Sequence, residues 1–179
     1  SQLLVEAALT ADVAPETVEA ALTVPPLGDV AGNAYFVDLR LVSADGEQLA
    51  SSLYWLSTQP DVPDWDASEW FWTPMAEFAD LQGLQSMPET EVEVKHSFAA
   101  DGSRVDVELH NPGDRIAFFI ELAVEQESSG HLAAPILWSD NYVTLMPGES
   151  LSVSAEIPAH ALAGEDPVFR YSGINVQGD

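Results

Sequence analysis

RVDVELHNPGDRIAFFIELAVEQ, residues 104–126, is the stretch on which the fold turns. Val105, Val107 and Leu109 alternate with Arg104, Asp106, Glu108 and His110, the two-residue period of a strand with one buried face. Asn111-Pro112-Gly113-Asp114 then supplies four turn formers in succession, since proline fixes φ and glycine and asparagine accept positive φ. Phe118, Ile120, Leu122 and Val124 resume the alternation against Glu121 and Glu125. The two runs are therefore expected to pair as a hairpin across one apolar face.

The pattern repeats on both sides. Downstream, Pro135-Ile136-Leu137-Trp138 leads to Val143-Thr144-Leu145-Met146 and the turn Pro147-Gly148-Glu149-Ser150. Leu151, Val153, Ala155 and Ile157 form the next alternating run, Pro158 to Glu165 reads as a loop or one helical turn, and Val168 to Tyr171 begins the last strand. Upstream, Val92, Val94 and Phe98 alternate with Glu91, Glu93 and Lys95, and Ala99 to Ser103 turns the chain into Arg104. His96 shares the phase of the apolar residues and is expected to be partly buried. Short strands punctuated by turns predict an all-β protein, with a complete antiparallel sandwich over residues 88–179.

The first half is less complete. Tyr35, Val37, Leu39 and Leu41, the turn Ser43-Ala44-Asp45-Gly46-Glu47, and residues 48–57 predict a hairpin. Leu3, Val5, Ala7 and Leu9 share one phase, and Val18, Ala20, Leu22 and Val24 fit a strand better than a helix, because Pro25-Pro26 stops the run after seven residues. Leu27 to Asn33 reads as a loop. Four candidate strands fall short of the seven or so of a whole sandwich, so residues 1–57 are expected to be the C-terminal part of one, with an exposed face that docks a partner or self-associates. Residues 58–87 form an expected connector, in which Asp66 to Glu69 and Met75 to Leu84 carry helical character. Trp65, Trp70, Phe71 and Trp72 lie here. Each ring system buries ~150–250 Å² when packed, so the cluster is expected to leave water, removing roughly 600 Å² for a gross gain of about 15 kcal/mol. The competing use is a platform of flat faces for sugar rings, with Trp65, Trp70 and Trp72 as the carbohydrate-binding candidates.

Composition limits the functions. Of 179 residues, 46% are hydrophobic, enough for a real core, and no window holds the apolar run of a membrane helix. The start, Ser1 to Glu6, lacks a basic leader. With no cysteine there is no disulfide, thiolate metal site or thiol nucleophile. Thirty acids against five bases leave a formal charge of −25, which repels nucleic acids and anionic membranes and suits a cationic polymer or plain solvation in a salty medium.

Two blocks carry a family resemblance. The run Asn111, Asp114-Arg115-Ile116-Ala117-Phe118-Phe119, then Trp138-Ser139-Asp140-Asn141-Tyr142 and Leu145-Met146-Pro147-Gly148-Glu149, resembles the C-terminal immunoglobulin-like domain of family 2 glycoside hydrolases. Leu53-Tyr54-Trp55-Leu56-Ser57, Asp64-Trp65-Asp66, Ser68, Trp70, Thr73-Pro74 and Phe78-Ala79-Asp80-Leu81 are similar to the segment joining the last two sandwiches of those enzymes. The nearest members are the exo-β-D-glucosaminidases and the endo-β-mannosidases. The resemblance marks Trp55, Asn111, Arg115, Trp138, Asp140, Asn141 and Tyr142 as structural motif residues. It implies as partners the catalytic barrel and other domains of a secreted parent enzyme, and chitosan or another oligosaccharide as a ligand.

No catalytic residue is expected in the chain itself. The acid/base glutamate of family 2 enzymes follows an asparagine, and no Asn-Glu pair occurs here. A (β/α)8 barrel also needs ~250 residues. Asp140-Asn141 is read as a turn whose side chains bond nearby backbone, and Arg115 is expected to pair with Asp114 or Glu108. Asp64, Asp66 and Glu69 are oxygen donors of the kind calcium takes, but their spacing matches no known loop. The four histidines are scattered, so no metal and no cofactor is expected.

Overall fold

The computed structural model describes residues 2–25, 27 and 33–178. The chain divides into two compact units, one reaching to Leu84 and the other running from Gln85. Of the loop expected from Leu27 to Asn33, residues 28–32 lie outside the described residues.

In the first unit β1 (Ala34–Val42) and β2 (Gln48–Ser57) form an antiparallel pair in which Phe36 stands opposite Trp55 and Val37 opposite Tyr54. Gly46 takes a φ of +86° in the connecting turn, where its N–H donates to Ser43 O at 3.0 Å; an L side chain would be strained there. β3 (Val62–Pro63) pairs with β4 (Met75–Glu77), and a 3-10 turn follows at Gln82–Ser86. The helical character read into residues 66–69 and 75–84 thus gives way to a turn, a short strand and that 3-10 turn. The two strands expected near the N-terminus do not form either. Residues 2–25 carry no strand, and Leu3, Val18 and Leu22 are exposed. An alternating run makes a strand only when a partner edge accepts its backbone bonds, and among the described residues none pairs with these runs.

The second unit is a sandwich. β5 (Glu93–Phe98), β6 (Arg104–His110), β8 (Leu137–Trp138) and β10 (Ser150–Glu156) make one sheet in the order β5-β6-β10-β8. β7 (Ala117–Gln126), β9 (Val143–Leu145) and β11 (Pro167–Ser172) make the other in the order β11-β7-β9. All neighbours are antiparallel. The expected hairpin between residues 104–110 and 118–124 is therefore corrected: β6 pairs with β5 and β10, whereas β7 pairs with β9 and β11. Each strand has one apolar face, and putting them in facing sheets buries both faces in a single core. Val105, Val107 and Leu109 of β6 meet Ile120, Leu122 and Val124 of β7 in that core, all at most 2% exposed. The opposite face of β6 keeps Arg104, Asp106 and Glu108 in water.

Candidate functional site

Three places could carry function: a buried asparagine clasp between the sheets, a polar depression on the four-stranded sheet, and the tryptophan-rich hairpin of the first unit.

The clasp is built where the chain crosses between sheets. Asn111 is fully buried, and its Nδ2 donates to Arg115 O (2.7 Å), Leu145 O (3.0 Å) and Met146 O (3.2 Å). Its Oδ1 accepts the Gly113 N–H at 3.1 Å. A Cβ on Gly113 would stand 3.0 Å from Thr90 Oγ1 and 3.3 Å from that same Oδ1, so a larger residue here would push these side chains by a few tenths of an ångström. Asn141 is a second tie. Its Oδ1 accepts the Leu122 N–H (2.8 Å) and its Nδ2 donates to Leu122 O (2.9 Å), a peptide-like pairing across 19 residues. The local reading of Asp140-Asn141 is thus incomplete. Asp140 Oδ1 does take the Asn141 N–H at 2.8 Å, yet Asn141 also reaches a strand of the facing chain segment. Sequence reasoning missed Asn175. It is 4% exposed, donates to Pro88 O and Ile116 O, and accepts the Phe118 N–H at 2.9 Å. A polar residue in an apolar run, Ile174-Asn175-Val176, was the available signal.

The remaining motif residues are divided between the two units. Trp138 of β8 is half-buried against the core and opposite Ala155, while Trp55 lies on β2 with 39% of its surface exposed. Tyr142 donates its hydroxyl to Glu121 Oε1 at 3.0 Å, which pushes the phenol's pKa up, and its ring lies 5.2 Å from that of Phe119. Arg115 pairs with Asp114, one of the two acids expected for it, at 3.9 Å, and its Nη1 also donates to Glu89 O at 2.9 Å. His96 is exposed, not partly buried. Its ring stacks on Phe169 at 4.7 Å, because the edge strand β5 leaves that flank open to water.

The depression, about 470 Å³, lies over Lys95, Ser97, Arg104, Asp106, Ser139 and Ser154. Arg104 Nη2 stands 2.6 Å from Asp106 Oδ1, and this hydrogen bond holds the Asp106 carboxyl below the usual carboxylate range. A general acid needs the opposite shift. The arrangement is an exposed ion pair on a polar sheet face. Among the described residues no group of three histidine or carboxylate side chains is placed to hold a metal ion, and Asp64 Oδ1 is committed to the Ala67 N–H at 3.1 Å.

The tryptophans depart from expectation. Trp65, Trp70, Phe71 and Trp72 are 73%, 93%, 70% and 57% exposed, so the burial expected for them does not occur within this chain. The backbone gives the reason. β3 and β4 continue as a narrow hairpin in which the Asp64 N–H donates to Pro74 O (2.8 Å) and the hydroxyls of Ser68 and Thr73 meet at 2.7 Å. The Glu69 N–H donates to Trp72 O at 2.8 Å, and the Trp72 N–H to Glu69 O at 3.3 Å. Trp70 and Phe71 are thereby left at the apex, with their rings in edge contact at 4.8 Å.

Residues 70–176 match the family model described as the exo-β-D-glucosaminidase Ig-fold domain. The chain is 36% identical over 160 residues to the exo-β-D-glucosaminidase of Streptomyces avermitilis, a match that covers 87% of this chain and 18% of that protein. The enzyme of the same name from Amycolatopsis orientalis is also 36% identical over 160 residues, covering 87% and 15%. Among solved structures, Amycolatopsis orientalis exo-chitosanase CsxA superposes with a TM-score of 0.78 at 33% identity, covering 89% of this chain and 19% of that one. The chain thus spans less than a fifth of the length of these relatives.

Proposed function

Since the chain belongs to the exo-β-D-glucosaminidase Ig-fold domain family, we propose that it serves as a non-catalytic accessory region at the C-terminal end of a family 2 glycoside hydrolase that removes glucosamine from chitosan-type chains. The observation that carries this reading is the match of residues 70–176, which takes in the whole seven-strand sandwich. Its strands are tied by asparagine clasps, and the depression on its four-stranded sheet holds a carboxylate shifted in the wrong direction for acid catalysis. A glycosidase needs two carboxyl groups flanking the scissile bond, one of them with a raised pKa. The chemistry then belongs to other domains of the parent, and this chain braces them. A chitosan-type polymer is too large and too charged to cross a membrane, so the parent acts outside the cell.

The test is direct. The isolated chain, incubated with a chromogenic β-D-glucosaminide or β-D-mannoside, is expected to release no product, while the parent enzyme releases the glucosaminide's. Turnover by the isolated chain would end the accessory reading, and a parent acting on the mannoside alone would end the glucosaminidase one.

A further inference from the structure

We propose that the apex of the β3–β4 hairpin is a surface contact for a chain of protonated amino sugars, with Trp70 and Phe71 packing against pyranose faces and Asp66 and Glu69 taking the ammonium groups. The proposal rests on the reading of the parent as a glucosaminidase, and adds a binding site that the accessory role does not require.

Three observations converge on it. First, the apex is held by paired backbone bonds between Glu69 and Trp72 and by the Ser68–Thr73 hydroxyl contact, so the rings are displayed on a fixed support and not on a loose loop. A ligand that stacks there loses little of its affinity to ordering the site. Second, Trp70 is 93% exposed and Phe71 70% exposed, with one edge-to-face contact between them. The apex thus offers two differently inclined faces, and the apolar C–H face of a sugar packs on such a ring while its polar edge stays wet. Third, the surrounding charge has one sign. Asp61, Asp64, Asp66, Glu69, Glu77 and Asp80 accompany the hairpin, and no Lys, Arg or His occurs between Arg40 and Lys95. A neutral sugar gains nothing from that field, and an anionic one is repelled. A polymer with one ammonium per ring is drawn to it, and the same field raises its encounter rate.

The experiment titrates the 179-residue chain with glucosamine hexamer, N-acetylglucosamine hexamer, mannohexaose and hexalysine, followed by tryptophan fluorescence and calorimetry. Saturable binding of glucosamine hexamer is expected at a Kd of about 0.1–1 mM. Trp70→Ala is expected to weaken it about tenfold, as is N-acetylation of the ligand. Raising salt to about 0.5 M weakens it further. Because Trp70 is exposed, its variant keeps the parent melting temperature, so lost binding is not lost folding. Absence of binding by the folded chain overturns the proposal. So does binding that survives Trp70→Ala with Phe71→Ala, which means the rings dock a protein surface instead. Hexalysine bound as tightly as the sugar overturns it too, leaving charge alone. Apex-dependent binding of mannohexaose at equal strength overturns the amino-sugar assignment. A parent that releases no glucosamine refutes the reading beneath it without altering any titration.

Discussion

Replacing Asn111 by alanine removes a side chain with 0% exposure and four hydrogen-bond contacts, and the cost follows from which partners are stranded. Nδ2 has two hydrogens for three carbonyls, so two contacts are full bonds and the third is shared. Each net bond contributes about 1 kcal/mol. The Leu145 carbonyl is buried with its residue at 1% exposure, and losing a partner there adds roughly 1–3 kcal/mol of desolvation. The expected total is about 3–5 kcal/mol, a large part of the ~5–15 kcal/mol that holds a domain together. The two units of this chain need not unfold together, so the assay must report on the sandwich alone. Hydrogen exchange of the β6 and β7 amides does so, because the slowest of these open only with the whole core. Their opening free energy is expected to fall by that amount while the β1–β2 amides stay unchanged. Asn111→Asp keeps the size but turns a carboxylate toward three carbonyl oxygens, which raises its folded pKa above the unfolded value. Its deficit should therefore be smallest in acid, where the group is protonated, and grow as pH rises through the unfolded carboxylate range near ~4. A loss below about 1 kcal/mol in the alanine variant, or a deficit in the aspartate variant that does not vary with pH, would refute the clasp as the tie between sheets.

Further outcomes follow from the same structure. Glu165 Oε2 accepts the Ser128 and Ser129 N–H groups at 2.7 and 2.9 Å, and the Ser129 bond leads in depressing its pKa. Its contribution is present above the unfolded value and lost as pH falls through the lower folded one, so these two amides should gain exchange protection from acid to neutral pH, and Glu165→Gln should flatten that profile. The β1–β2 pair exposes Leu39, Leu41, Leu49, Tyr54 and Leu56 at 41–61%, and sedimentation is expected to show concentration-dependent association that Leu41→Lys reduces; a monomer at every concentration would refute it. With a formal charge of −25, the melting temperature should climb with sodium chloride over about 0.05–1 M as self-repulsion is screened, and a flat curve would mean that repulsion contributes little.

The strands of the sandwich were legible because their buried faces alternate, strictly in β6 and beyond the irregularity at Phe119 in β7. Every second residue from Val105 to Leu109 meets the core, and β10 and β11 lie where their apolar runs place them. The turn at Asn111-Pro112-Gly113-Asp114 was legible too, from its backbone chemistry. Its residues also carried the family resemblance, which the match over residues 70–176 upholds. The roles of Asn111 and Asn141 were not, since a turn former and a tie to a distant strand look alike until the backbone groups they reach are in place. Asn175 was hidden in the same way, as its three partners lie 57 to 87 residues away in the chain.

Alternation, turn chemistry and charge, all local properties of the chain, sufficed for an acidic, all-β protein with an immunoglobulin-like sandwich. Which strand lies beside which required three dimensions. β6 and β7 are consecutive and equally apolar on one side, so pairing within a sheet and facing across a core look the same along the chain. Only the closing of two layers over shared side chains selects the second. The tryptophan-rich hairpin reverses the lesson: apolar composition argued for burial, but a ring is buried only where other atoms come to cover it, and at this apex the described residues leave Trp70 and Phe71 largely in water.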